Sequence, residues 1–321
     1  MSDSVAQLQP RPELVLPQFL DDVLEGLSRP RKAISAKYFY DLQGSLLFEE
    51  ITRLPEYYPT RTELGILRDQ GASMGALCPW RAALVEFGSG STVKMRCLLP
   101  HLPDLAAYVP VDVSVDFMGA EVVQLRADHP ELDVLPVTAD FSRSFALPSS
   151  LAGYPRIGFF PGSTIGNFEP PEAEQLLATF ARLLGRDALL IIGVDLVKDM
   201  AVLEAAYNDA AGVTAEFNLN LLRRINRELG ADFDLTAFSH RAFFDEAQSR
   251  IEMHLVSRHA QQVRVAGHPI TFASGETIHT ENSYKYAPAD FEALAGRSGW
   301  RLRRMLTDPD RLFSVYVLGA D

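Results

Sequence analysis

The chain has 321 residues, 47% hydrophobic and 22% charged, enough for one large α/β domain or two coupled ones around a sizeable core. A formal net charge of −12 (30 Lys+Arg against 42 Asp+Glu) argues against nucleic-acid or anionic-membrane partners. Two cysteines, Cys78 and Cys97, imply no disulfide framework, and no apolar run is long enough to span a bilayer. The expectation is a soluble, cytoplasmic, monomeric protein that acts on a small molecule.

Residues 1–12 are polar and Pro-containing and are expected to fray. Helices are expected from Pro17 to Leu27, stopped at Ser28-Arg29-Pro30, and from Ser45 to Leu54, ended by Pro55. Aromatic residues crowd positions 38–58, either as a core flap over a sheet or as a wall over a small-molecule pocket. From Leu84 strands and helices alternate, the mark of a parallel sheet. The strands read as Leu84–Phe87, Ala107–Asp112, Asp133–Val137, Arg156–Pro161 and Ala188–Val194. Ser114 is placed to cap a helix over Val115–Arg126. Another helix starts at Pro171, carries Glu172 and Glu174 in its first turn, and closes at Gly185.

The first strand runs into Glu86-Phe87-Gly88-Ser89-Gly90-Ser91. Glycines permit a tight turn and let a ligand approach bare backbone, and the next helix points its N–H groups into the same corner. A nucleotide-like ligand at a strand–loop–helix unit is the natural reading. Val93 stands where a dinucleotide fingerprint wants a small residue, and Glu86 suits a cation better than a diphosphate. Asp112, ending the second strand, either accepts from ribose hydroxyls or caps a helix. Asp140-Phe141 suits an adenine edge and face. The Pro161–Phe168 loop is where a transferred group and its acceptor should meet, with Asn167 either in the site or bonded to its own backbone.

The rhythm breaks after Val194. Helices over Met200–Asp209 and Val213–Leu229 and a strand over Ser249–Ser257 suggest an insertion or lobe. Strand-rich segments follow at Thr271–Tyr286 and Arg311–Leu318, around a helix over Pro288–Ser298. Glu281 and Ser283 share one strand face by the two-residue period, either gripping an N–H-bearing ring or lining a solvated edge. The seven histidines are scattered without metal-ligand spacing, so no metal is expected. Gly162-Ser163-Thr164-Ile165-Gly166 lacks the nucleophile-elbow spacing of a hydrolase.

Acidic-x-Gly-x-Gly resembles the first motif of class I S-adenosylmethionine (SAM) methyltransferases. Tyr40-Asp41-x-x-Gly44-Ser45-x-Leu47-Phe48-Glu49-x-Ile51-Thr52-x-Leu54-Pro55-Glu56-Tyr57-Tyr58-Pro59-Thr60-Arg61-Thr62-Glu63 resembles the N-terminal signature of the stand-alone histidine Nα-methyltransferases of ergothioneine biosynthesis. Pro161–Asn167 and His279–Lys285 are similar to the same family. The resemblance implies a class I SAM-methyltransferase Rossmann-like sheet, formed by 63–195 and 287–321, beside a smaller substrate-binding domain formed by 1–62 and 196–286. It implies a transferase that trimethylates the α-amino group of L-histidine to hercynine, with SAM as donor and S-adenosylhomocysteine as product. Tyr40, Asn167 and Tyr207 would be the catalytic group, holding the amino and carboxylate groups. Tyr57, Phe217 and Met253 would line the pocket, Gly162 and Thr164 its floor, and Glu281 and Ser283 would bind the imidazole. Gly88, Ser89, Lys94, Asp112, Asp140 and Phe141 would bind SAM. Relatives on this scaffold methylate tryptophan-derived amines, but Met253 with Glu281 favours histidine, since a carboxylate has little use beside an indole. Other readings are methylation of a different small amine, a non-catalytic SAM-binding module, and a NAD-dependent dehydrogenase, the last disfavoured by Val93. The base that takes the amine proton stays open between a tyrosinate and release to water.

Overall fold

The computed structural model describes residues 18–321 apart from 91, 103, 114 and 144; the side chains of 115–118, 120 and 121 are also outside the description. Ser91, the Ser114 cap and the 1–12 segment therefore lie outside the described residues.

The larger of the sheets has eight strands. Across it run Trp300–Thr307, Phe313–Ala320, Leu189–Asp195, Arg156–Phe160, Ala83–Phe87, Ala107–Asp112 and Asp133–Val134, with Val137–Thr138 also on Ala107–Asp112. The strand expected over Asp133–Val137 is thus two short ones. Pairing is parallel from Leu189–Asp195 to Asp133–Val134, and Phe313–Ala320 is antiparallel to both its neighbours. Strands such as Ala83–Phe87 are buried at every position, as a sheet covered on both faces requires. The α/β expectation holds. One covering helix, Pro170–Leu184, opens on a capping box between Glu169 and Glu172 and closes at Gly185. Its Phe180 stacks on Phe87 with ring centroids 3.8 Å apart. Strand order reverses between Ala83–Phe87 and Arg156–Phe160, which opens a crevice at the carboxyl ends of the strands.

A second sheet, of four strands, joins Lys32–Ala33, Thr277–Tyr284, Arg250–Ser257 and Phe238–Asp245. It has its own apolar core, in which Phe19, Tyr38, Phe39, Phe217, Leu221 and Ile278 meet. Helices Phe19–Ser28, Leu42–Ile51, Met200–Tyr207 and Val213–Leu229 contribute to it. Strands Phe238–Asp245 and Trp300–Thr307 and the hairpin Gln261–Val265 with His268–Phe272 were not anticipated. The aromatic lead-in continues as one helix, Tyr58–Gly75. Gly71 and Gly75 in it serve packing, since a Cβ at Gly71 would meet the His101 ring at 2.0 Å and one at Gly75 the His101 carbonyl oxygen at 2.1 Å.

Asp41 shows why the N-terminal signature needs its acid. It caps Leu42–Ile51 by accepting from the Gly44 amide at 2.7 Å. It also accepts from Asn220 Nδ2 at 2.8 Å and Arg227 Nη2 at 2.7 Å, which ties two helices together. Asp41→Ala should cost about 2–3 kcal/mol of stability, a lost cap plus an orphaned buried amide. Urea unfolding monitored by circular dichroism checks this.

Candidate active site

At the end of Ala83–Phe87, Gly88 takes φ +77°, and a Cβ there would press on the Phe141 ring at 3.3 Å. The Gly88 and Ser89 amides both donate to the Val111 carbonyl, at 2.9 and 3.3 Å, which draws the loop alongside Asp112 at the next strand end. A side chain at Gly90 would meet only open space. This is a bare-backbone corner with an aromatic face at its side, a fit for an adenine nucleoside ligand. Asp140 turns one carboxylate oxygen back on its own loop, accepting from the Ser142 amide at 2.9 Å.

Lys94 is not left to a ligand alone. Its ammonium pairs at 2.7 Å with Glu63, which is 1% exposed and also accepts from the Gly162 amide at 2.9 Å. Glycines make room for this clamp: a Cβ at Gly193 would lie 2.1 Å from Glu63 Oε1, and one at Gly162 would lie 2.9 Å from Lys94 Nζ. Glu63, the last acid of the signature, was not assigned a role from the sequence. Glu86 differs from its expectation as a counter-charge for a cation. It is 1% exposed and accepts a hydrogen bond from the Tyr108 hydroxyl. Burial pushes its carboxyl up to about 8, against the pull of Tyr108 and Lys94, so at neutral pH it is mostly an uncharged acid.

On the acceptor side, Tyr57, Tyr207, Phe217, Met253 and Glu281 converge on one small cavity. Phe48, Ile51, Ala206 and Thr214 also line it. Phe48 and Ile51 were passed over because their helical spacing reads as core. Tyr40 stands at the rim, 36% exposed, its ring edge-on to Phe48 at 5.7 Å and to Phe217 at 5.8 Å. Glu281 lies directly opposite Met253 in the antiparallel register. Burial pushes the Glu281 carboxyl up to about 7, with Lys285 pulling the other way. Burial also raises the phenols of Tyr57 and Tyr207. Ser283 sits behind Tyr207, whose hydroxyl donates to it at 2.7 Å. Gly162, Ser163 and Asn167 belong to the loop after Arg156–Phe160, and Thr164 bonds its hydroxyl back to the Pro161 carbonyl at 2.9 Å. Gly166 brings that loop against the strand bearing Glu281: a Cβ would be 2.8 Å from the Tyr284 carbonyl.

Beneath the cavity lies a buried charged network. Asp195, 1% exposed, accepts from Tyr58 at 2.8 Å, Lys198 at 2.6 Å and Lys285 at 2.8 Å. Despite burial, the two ammonium groups hold its carboxyl below the ordinary range. On the opposite face of the same strands, Glu252, His254 and His279 come within 4.8 Å of one another, a grouping the scattered histidines did not suggest. Within the group His254 Nε2 meets Glu252 at 2.9 Å, Arg250 holds the other carboxylate oxygen at 2.5 Å and His279 Nε2 bonds the Glu281 carbonyl at 3.0 Å, while His254 Nδ1 is buried without a partner.

A family model described as histidine-specific methyltransferase, SAM-dependent, matches residues 19–320. The chain belongs to that family. Histidine N-alpha-methyltransferase of Mycolicibacterium smegmatis is 43% identical over 297 residues, covering 90% of both chains. Ergothioneine biosynthesis protein 1 of Neurospora crassa is 30% identical over 278 residues, covering 81% of this chain and 30% of that protein. Among solved structures, the CcbJ methyltransferase of Streptomyces caelestis superposes with a TM-score of 0.45 at 14% identity, over 79% of this chain and 89% of that one. As a member of the family the protein is an enzyme that takes its methyl group from SAM and acts on histidine.

The burial of Glu86 has a consequence for stability. An acid whose folded pKa lies above its ordinary value of 4.5 binds its proton more tightly in the native state. Its contribution is therefore complete below about 4.5 and is lost as pH rises towards about 8. Glu86→Gln, an isostere of the protonated acid, should match the parent in Tm at pH 5 and exceed it at pH 9. Thermal unfolding at the two pH values checks this, and an equal Tm difference at both would contradict it.

Proposed function

We propose that the enzyme transfers three methyl groups in turn to the α-amino nitrogen of L-histidine, giving hercynine for ergothioneine biosynthesis. The observation that carries the reading is the half-buried Glu281 carboxyl beside Met253 on the adjacent strand, both lining one aromatic cavity. A carboxylate in an apolar pocket calls for an N–H donor, which an imidazole brings and an aliphatic or phenyl side chain does not. The names of the relatives from M. smegmatis and N. crassa support the same substrate and pathway.

In this reading residues 18–62, the described part of the expected 1–62 segment, and 196–286 form the substrate-binding domain, and 63–195 with 287–321 hold SAM through Gly88, Ser89, Lys94, Asp112, Asp140 and Phe141. Gly88 and Phe141 shape that corner, while Lys94 acts from its ion pair with Glu63. SAM supplies a methyl group on a cationic sulfur. The protein's part is to align a neutral amine with that methyl, and positioning of this kind is worth several kcal/mol of barrier. Tyr40, Asn167 and Tyr207 hold the amino and carboxylate groups, with Gly162 and Thr164 below them and Ser283 beside Glu281 at the ring. Tyr57 and Tyr207 have raised phenol pKa values and stay protonated at neutral pH, so they orient the amine rather than take its proton. Three protons leave to water in all, one before each transfer, since each methylation before the last gives an ammonium that must be neutral again to accept the next methyl. Tyr57 and Phe217 offer ring faces to the quaternary ammonium that forms. The enzyme works as a cytoplasmic monomer in this reading; among the described residues no helix is long and apolar enough to cross a membrane.

Mass spectrometry of the protein incubated with SAM and L-histidine should show a product three methyl groups heavier, and tryptophan, tyrosine and histamine should give none. Glu281→Ala should weaken histidine binding by about 2–3 kcal/mol and leave SAM affinity unchanged, as calorimetry with each ligand would show. Equal losses for both ligands, or trimethylation of another amine instead, would overturn the assignment.

A further inference from the structure

The Lys285 ammonium is fully buried and has three N–H bonds to place. All three find oxygen: Asp195 Oδ2 at 2.8 Å, Ser283 Oγ at 2.7 Å and the Tyr207 hydroxyl at 3.1 Å. An ammonium can only donate, so it fills a lone pair on each of the two hydroxyls. Ser283 and Tyr207 are also bonded to each other at 2.7 Å, and that bond uses one of their two protons. The pair therefore has one O–H left over, and it has to point away from Lys285. With Tyr207 donating to Ser283, the surplus proton is that of Ser283. Ser283 shares its strand face with Glu281 by the two-residue period, so a ring held by Glu281 lies within reach of that remaining proton.

We propose that Lys285 is a positioning residue that makes Ser283 an obligatory hydrogen-bond donor, so that the site takes the imidazole as the neutral ring. One ring nitrogen donates to Glu281 and the other accepts from Ser283. An imidazolium, which offers two donors, and a pyrrole, which offers one donor and no acceptor, both fit this arrangement badly. The selection is set by a charge that does not itself touch the ring. Lys285 is anchored from the far side by Asp195, which Tyr58 and Lys198 also hold, so the ammonium cannot swing towards the substrate. The inference rests on the reading of Glu281 and Ser283 as the imidazole contacts.

The test compares histidine with pyrrol-2-ylalanine and pyrrol-3-ylalanine, which between them keep an N–H at either ring position and lack the second nitrogen. The parent enzyme should prefer histidine by about tenfold or more in kcat/KM, since a buried donor left unpaired is costly. Lys285→Met and Ser283→Ala should both reduce that preference to within about threefold. A purely structural role for Lys285 would lower kcat/KM for all three substrates alike and leave the preference intact, and that result overturns the inference. If Ser283→Ala itself keeps the preference of the parent, the assignment of Ser283 to the ring fails instead, and the two failures are distinguishable. Should Lys285→Met not fold, the double variant Asp195→Asn/Lys285→Met removes both charges of the pair and is compared with Asp195→Asn, which keeps the ammonium. Loss of preference only in the double variant supports the proposal, and an equal preference in both overturns it.

Discussion

A single buried carboxylate, Asp195, holds this molecule's two halves in register. It ends a central strand of the large sheet, and its partners come from elsewhere: Tyr58 from within the N-terminal signature, at the start of helix Tyr58–Gly75, Lys198 from the following loop, Lys285 from the end of strand Thr277–Tyr284. Its own amide donates to Ser163 Oγ at 2.9 Å, in the loop after Arg156–Phe160. An ion cluster so enclosed is a poor source of net stability, because desolvation offsets most of the attraction, yet removing one member strands the others. Its value is geometric. With two ammonium groups on one carboxylate the cluster carries an excess positive charge, and burial brings Lys198 down to about 8 even against the pull of Asp195.

Around that cluster the two sheets also approach each other backbone to backbone. Gly166 lets the loop after Arg156–Phe160 touch the main chain at Tyr284, and Gly193 leaves the space that Glu63 fills when it grips the Gly162 amide. Backbone contacts have few rotameric alternatives, so the spacing between the loop after Arg156–Phe160 and the strand bearing Glu281 is closely held.

What could be read in advance follows the range of the interactions. The parallel strands announce themselves as apolar runs ending in glycine or an acid, and Val213–Leu229 has the stripe of a buried helix. Tyr40 and Tyr57 lie in the long N-terminal signature and Glu281 in the short segment His279–Lys285, whereas Met253 and Tyr207 carry no motif of their own and came only from the family resemblance. The length of Tyr58–Gly75 was not legible, because its glycines look like breakers until His101 is seen against them. Trp300–Thr307 alternates apolar residues with arginines, and Phe238–Asp245 alternates only loosely, so neither stands out from a loop. Pairings such as Glu63 with Lys94, or Asp195 with Lys285, join residues far apart in the chain and leave no local pattern. Glu86 misled for a related reason: its charge was read from its type, whereas its environment removes it.

The strand order also bears on how the polypeptide reaches this state. Leu189–Asp195 gains its second neighbour only when Phe313–Ala320, close to the end of the chain, pairs with it, and Lys32–Ala33 must wait for Ile278 and His279. Both sheets thus depend on contacts of very long sequence separation, which close slowly. During synthesis the apolar edge of Leu189–Asp195 stays open for more than a hundred residues of further elongation, a template for pairing with another chain. Yield in a recombinant host therefore hinges on how long that edge remains uncovered, a kinetic matter separate from the stability of the finished enzyme.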